Sequence, residues 1–122
     1  MKPFGIIVVR NSCFKNKLMA NLALWVQLEV KKGKEAEVET FLRDALTLVN
    51  EEHGTVSWYA LKLGPTSYGI FDTFITEKER EAHLAGAVAN GLKERANELF
   101  SKPPTIERIE ILASKLPELE QY

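Results

Sequence analysis

Residues 68–84, YGIFDTFITEKEREAHL, change period halfway along. From Tyr68 to Ile75 the apolar residues alternate, as in a strand with one buried face, while from Glu77 the spacing becomes that of a helix. Thr76 stands at the junction, and Glu79 follows three residues later in the pattern of a capping box. A strand that runs straight into a helix lays that helix back over its own sheet. The rest of the chain must therefore supply the sheet and a second cover. This central unit also holds an acid, Asp72, and one of the two histidines, His83.

The flanking segments meet that demand. LALWVQLEV (22–30) alternates strictly, with Leu22, Leu24, Val26, Leu28 and Val30 on one side. From Glu35 to about Glu52, Val38, Phe41, Leu42, Ala45, Leu46 and Val49 form one apolar stripe of a helix. Acids crowd its first turns, and His53-Gly54 is expected to end it with glycine in the left-handed cap conformation. A second strand is expected over Thr55–Leu63. A Gly64-Pro65-Thr66-Ser67 turn leads from it into the third strand. A four-residue loop pairs Leu63 with Tyr68, Tyr59 with Asp72 and Trp58 with Thr73. One continuous helix is predicted from Glu77 to about Phe100, stopped by Pro103-Pro104. Thr105–Ala113 is the last strand.

The order β-α-β-β-α-β predicts an α+β, ferredoxin-like domain, a four-stranded antiparallel sheet with two helices on one face. It spans residues 21–116, between an N-terminal extension (1–20) and a C-terminal tail (117–122). At 122 residues the chain is one domain by size.

A net charge of −1 gives no global pull towards nucleic acid or an anionic membrane. Residues 1–20 carry +4 within that total, so the remainder carries −5. The apolar run Phe4–Val9 is shorter than the ~7–15 residues of a signal-peptide core, and no stretch reaches the ~20 of a membrane span. The extension reads either as an extra edge strand or, with Met19 directly before the regular pattern, as a segment without functional weight. A single cysteine, Cys13, rules out an internal disulfide and fits a reducing compartment, the cytoplasm by default. Cys13 has no base near it in sequence and is not expected to be a nucleophile. No phosphate loop, dinucleotide-binding glycine pattern or zinc spacing is present, so no bound nucleotide, flavin or metal is expected.

Two helices cover one side of a sheet only. With the register above, the other side carries Trp25, Gln27, Trp58, Ala60, Gly69 and Phe71, an apolar patch large enough to imply a binding surface. The expected cover is a second copy of the chain, giving a homodimer through the Trp25, Trp58 and Phe71 face. The alternative cover is the FGIIVV run of the extension.

VQLEVKKGKEAEVETFLRDAL, YGIFDTFITEKEREAHLAGAVANGL and LASKLP resemble the antibiotic biosynthesis monooxygenase family of dimeric α+β barrels, over residues 22–116. The resemblance implies a pocket between helices and sheet that accepts a flat aromatic or quinone-like molecule. It also implies cofactor-independent oxidation by O₂ of a substrate activated by deprotonation. The chain departs from two of the family's patterns. Polyketide-type members carry Asn and Trp on the third strand, where this chain has Ile70 and Phe74, and a Tyr where it has Arg80. Haem-degrading members carry Asn on the first strand, here Val26. What matches is the acid-x-aromatic of Asp72-Thr73-Phe74 and the Ala82-His83 pair.

Asp72 shares its strand face with Tyr68, Ile70 and Phe74, so its carboxylate is expected under the helices, where it needs a partner or a task. Tyr59, opposite it in the expected register, and Arg95, within the apolar arc of the helix, are the candidate partners. His83 titrates near neutrality but falls towards the polar side of the wheel. The enzyme reading makes Asp72 and His83 the catalytic pair and Tyr59, Tyr68, Phe74 and Arg95 substrate contacts. The rival readings are a structural tie at Asp72, a solvated His83 and core aromatics. The domain would then be a barrel that binds or senses an aromatic metabolite, or one whose assembly face is its whole function.

Overall fold

The computed structural model describes residues 20–117. The expectations for residues 1–19, including Cys13, the edge strand and the fold-back, lie outside the described residues, as do those for 118–122. The elements are β1 (Leu22–Glu29), α1 (Glu35–Val49), β2 (Thr55–Lys62), β3 (Ser67–Phe74), α2 (Glu77–Leu84), α3 (Ala87–Glu94), α4 (Ala96–Leu99) and β4 (Thr105–Glu110). The strands form one antiparallel sheet in the order β2-β3-β1-β4, the ferredoxin-like arrangement, with the helices on one face.

Alternation does the sorting. Leu24, Val26 and Leu28 of β1 and Tyr68, Ile70, Asp72 and Phe74 of β3 are all buried, on the face that the helices cover. Val38 and Leu42 of α1 and Leu92 and Leu99 from the later helices close the main core over them. Helices α1 and α3 approach closely because Gly91 has no side chain: a Cβ there would lie 3.2 Å from the Phe41 ring. Among the described glycines only Gly33, in the turn after β1, has a positive φ (95°), so Gly54 does not act as a left-handed cap. Gly54 instead leaves room for the Glu79 side chain, whose Cγ would lie 2.8 Å from a Cβ at that position. Thr76 caps α2 as expected, its Oγ1 accepting the N–H of Glu79 at 3.2 Å.

Two expectations are corrected. The hairpin closes on Ser67, whose carbonyl accepts the N–H groups of both Leu63 and Gly64, so the loop holds three residues and not four. An odd loop moves the register by one and, beyond the irregularity between Thr55 and Ser57, turns the side chains of β2 to the opposite face. Trp58, not Tyr59, pairs with Asp72, and Tyr59 pairs with Phe71. Trp58 and Ala60 therefore belong to the helix-covered face, where Trp58 packs against the core. The face that no described helix covers presents Trp25, Phe71, Tyr59 and Leu61 instead.

The second correction concerns the long helix. It breaks at Ala85-Gly86 and again at Arg95, giving α2, α3 and α4. Gly86 is extended (φ −89°, ψ −174°) and acts as the N-cap of α3. A helical wheel carried across this break puts residues on the wrong side, which is why it counted against His83, the candidate catalytic histidine. His83 is buried.

Candidate active site

Helices α2 and α3 stand off the β1–β3–β4 side of the sheet and leave a cavity of about 510 Å³. Its floor is Leu24, Val26, Ile70 and Ile106, its roof Leu84, Val88, Leu92 and Ala96, with Pro103-Pro104 at one side. Four polar side chains line it: Asp72 and His83, with Lys93 and Arg108. Arg108 is held by a two-pronged pair to Glu81 of α2 at 2.8 and 3.0 Å. That pair pins β4 to α2 beside the cavity.

Asp72 comes from the centre of β3 and is fully buried. Its Oδ2 lies 2.8 Å from Nε2 of His83, which enters from α2. The contact is close, but it is not aligned as a hydrogen bond, and neither carboxylate oxygen has a hydrogen-bond partner. Burial raises the pKa of Asp72 above the usual carboxylate range, against the lowering effect of His83. For His83, burial alone would lower the pKa, but the Asp72 and Glu52 carboxylates outweigh it and the net shift is upwards. Phe74 packs against the imidazole, ring centroids 5.3 Å apart. The other ring nitrogen, Nδ1, lies 2.6 Å from Oε1 of Glu52, on the connection between α1 and β2. The imidazole thus sits between two carboxylates, with an apolar cavity on the Asp72 side.

The structure brings Asp72 and His83 together and supports them with Phe74. The remaining expected contacts lie elsewhere. Tyr59 is on the uncovered face, stacked on Phe71 at 6.5 Å, because of the register shift. Arg95 falls at the break between α3 and α4, where its guanidinium holds Glu37 and Glu98 at the surface and not Asp72. Tyr68 is buried, but its hydroxyl donates to Glu39 of α1 at 2.5 Å, away from the cavity. Burial, followed by that bond, raises the pKa of Tyr68, and the same bond with the Lys62 ammonium lowers that of Glu39.

Two residues escaped the sequence reading. Glu52 reads as one more acid at a helix end, and nothing in its spacing points to His83. Arg80 reads as a surface residue of a charged helix, yet it is buried. Its Nη1 donates to the carbonyls of Ala23 and Ile109 at 3.1 and 3.2 Å, joining β1, β4 and α2 at the end of the sheet.

No family model and no curated protein matches the chain. Among solved structures, the NE2512 protein of unknown function from Nitrosomonas europaea is 51% identical, covering 82% of this chain and 97% of its own, with a TM-score of 0.79. A second Nitrosomonas europaea protein, named "putative antibiotic biosynthesis monooxygenase", is 18% identical over 75% of this chain and 99% of its own, with a TM-score of 0.68. A Caulobacter crescentus protein of the same name is 14% identical over 84% of this chain and 100% of its own, with a TM-score of 0.66. At those identities the last two share the fold. The chain belongs to the family of the Nitrosomonas europaea NE2512 protein, built on the ferredoxin-like fold of the antibiotic biosynthesis monooxygenases.

Proposed function

We propose that the cavity binds a small, flat hydroxyaromatic or quinol-like molecule and that Asp72 and His83 deprotonate it for cofactor-independent oxidation by O₂. The observation that carries this reading is the Asp72 carboxylate, fully buried, with His83 Nε2 2.8 Å from its Oδ2 and no hydrogen-bond partner at Oδ1, lining an apolar cavity of about 510 Å³. A buried acceptor left unpaired is costly, on the order of 1–3 kcal/mol, and a ligand hydroxyl would satisfy it. The apolar walls suit an aromatic body, and the adjacent Asp72 and His83 suit an ionisable hydroxyl.

The chemistry closes without a further reductant. The ligand O–H proton passes to the Asp72–His83 pair as the phenolate forms, and the anion transfers electrons to O₂. One oxygen atom bonds to a ring carbon para or ortho to the hydroxyl. The O–O bond then breaks, and the second oxygen leaves as water with two hydrogens from the substrate. A phenol thereby loses four electrons to become a quinone, and O₂ takes up those four, one oxygen atom ending in the quinone and the other in water.

The same face argument that predicted a partner still supports a homodimer, now through Trp25, Phe71 and Tyr59. Among the described residues no helix is long and apolar enough to cross a membrane, and a reducing, cytoplasmic setting fits the single cysteine.

Oxygen uptake with a panel of quinols and polycyclic phenols tests the activity. Uptake that disappears in both Asp72→Asn and His83→Ala supports it; uptake unchanged in both removes it. A second reading, binding without turnover, is favoured by Ile70 and Phe74, apolar core residues at the strand positions where polyketide-type oxygenases carry Asn and Trp. Thermal stabilisation by such a ligand, with no oxygen consumed, would select that reading.

A further inference from the structure

We infer that Glu52 is a positioning residue for His83 and the point at which the buried acid–imidazole pair exchanges its proton with solvent, through an opening separate from the ligand cavity. The geometry is a row: Asp72 Oδ2 to His83 Nε2 at 2.8 Å, then His83 Nδ1 to Glu52 Oε1 at 2.6 Å. Its two ends open in different places. Asp72 and His83 line the large cavity, whereas Glu52 lines a cleft of about 140 Å³ with Asn50, Thr55, Ser57 and Trp58. The Glu52 side chain is 24% exposed, and that of Asp72 is 1% exposed.

Glu52 is held in place from three directions. The Thr55 hydroxyl of β2 donates to its Oε1 at 2.7 Å. The imidazole approaches from α2. Gly86 leaves space for the other oxygen, since a Cβ there would lie 3.3 Å from Oε2. The groups that face His83 are Asp72 and the Phe74 ring from β3, the Thr55 hydroxyl from β2, and Glu52. No other charged side chain among the described residues reaches it within ion-pair distance.

A neutral imidazole carries one N–H, and the partner of the other nitrogen decides where it sits. Glu52 keeps that hydrogen on Nδ1, so the Nε2 lone pair faces the Asp72 carboxylate at 2.8 Å, a contact that one proton between them relieves. A proton arriving from the cavity forms the Nε2–H bond as the ligand O–H bond breaks. The Nδ1–H bond can then break as the Glu52 O–H bond forms, and that proton passes to water in the cleft. The reverse sequence resets the ring. A ligand that fills the cavity would therefore leave the pair in contact with solvent.

The inference rests on Asp72 and His83 as the proposed base, but its test needs no turnover. The chain contains two histidines, so ¹⁵N spectra of the full-length protein resolve the His83 ring, with His53→Gln to assign it. In the wild-type protein the Nδ1 signal is expected to stay protonated while Nε2 titrates, and the Glu52 side-chain carbon should respond in step. Glu52→Gln is expected to lower the His83 midpoint by about one pH unit or more, the usual effect of removing an opposite charge at contact distance. Glu52→Asp should recover part of it. A purely structural Glu52 would change stability and leave the midpoint alone.

An unchanged midpoint in folded Glu52→Gln overturns the inference. If that variant does not fold, Thr55→Val, which frees the carboxylate and keeps its charge, must lower the midpoint, and a midpoint unchanged there overturns it equally. Ala89→Phe, which fills the cavity, should leave proton exchange at His83 as fast as in wild type, and a marked slowing would refute the separate route. Oxygen uptake that is absent beside a shifted midpoint removes only the oxygenase reading; an unchanged midpoint beside intact uptake removes only the role of Glu52.

Discussion

The indole of Trp25 lies against the backbone of Gly69, so that a Cβ on Gly69 would meet its Cη2 at 2.4 Å. Trp25 pairs with Phe71 and Gln27 with Gly69, so the ring leans diagonally across β3 on the uncovered face. The strand backbone cannot give way by that much, so the indole must swing off β3 and lose its contact there. Gly69→Ala would ordinarily strengthen a strand. Here it is expected to destabilise by roughly 1–3 kcal/mol, the range for overpacking. Urea denaturation measures that loss, and Trp25 fluorescence in a Trp58→Phe background should move towards the emission of a wetter indole. Unchanged stability with unchanged emission would show that the ring is not held there.

That face also bears on assembly. Tyr59 is 53% exposed although its ring stacks on Phe71, and Leu61 beside it is also exposed. An aromatic left in water on a sheet face that no helix covers gains most from a matching face. Tyr59→Glu is expected to shift the protein from dimer to monomer in sedimentation velocity while leaving the helical circular dichroism signal intact. A wild-type protein that sediments as a monomer at micromolar concentration would refute the homodimer.

How much of this was legible in the sequence depended on how far each inference had to travel. The burial of Leu24, Leu28, Ile70 and Phe74 follows from local alternation, and so the sheet and its covered face could be read directly. The Tyr59–Asp72 pairing depended on counting a loop, and one residue of error reversed the face of Tyr59 and Trp58 together. His83 was legible as a candidate, but the wheel that set it towards the polar side was drawn through Gly86, where the helix breaks. Asp72 was legible as a buried acid, since its strand parity needed nothing remote. Its partner was not, because the Asp72–His83–Glu52 row joins three segments that only tertiary packing brings together.

Arg80 exemplifies a charge that sequence alone assigns to the surface. Its guanidinium is buried against two strand carbonyls, and its ion-pair partner Glu77 is well exposed. The carbonyls of Ala23 and Ile109 should then account for most of its worth, and the pair to Glu77 for little. Arg80→Met is expected to lower stability by about 2–3 kcal/mol, because it leaves a buried acceptor unpaired. Glu77→Gln should cost less than about 1 kcal/mol. Chemical denaturation of both variants checks the contrast, and equal losses would overturn it.

The buried pair sets the direction in which stability changes with pH. The folded state holds the His83 proton more tightly than the unfolded chain, where histidine titrates near ~6.5. That contribution is complete below ~6.5 and is lost as pH rises through the raised folded value. Asp72 acts in the same direction at lower pH: because burial raises its pKa, stability falls as pH climbs from ~3.9 through the folded value. Glu39, Glu81 and Glu98 act oppositely, since hydrogen bonds to Tyr68, Arg108 and Arg95 respectively lower their pKa values. Their support is lost as pH falls below ~4.3, but they are solvent-screened and carry little weight. The thermal midpoint is therefore expected to be higher near pH ~6 than near pH ~8.5. His83→Gln should flatten the decline above ~6.5, because the proton that folding binds is then gone, and should move the Asp72 pKa further up, because the imidazole that held it down is lost. Calorimetry across that range decides it: a wild-type midpoint that climbs from pH ~6.5 to ~8.5 would mean that the imidazole between Asp72 and Glu52 is held neutral, against the sign argued from its two carboxylates.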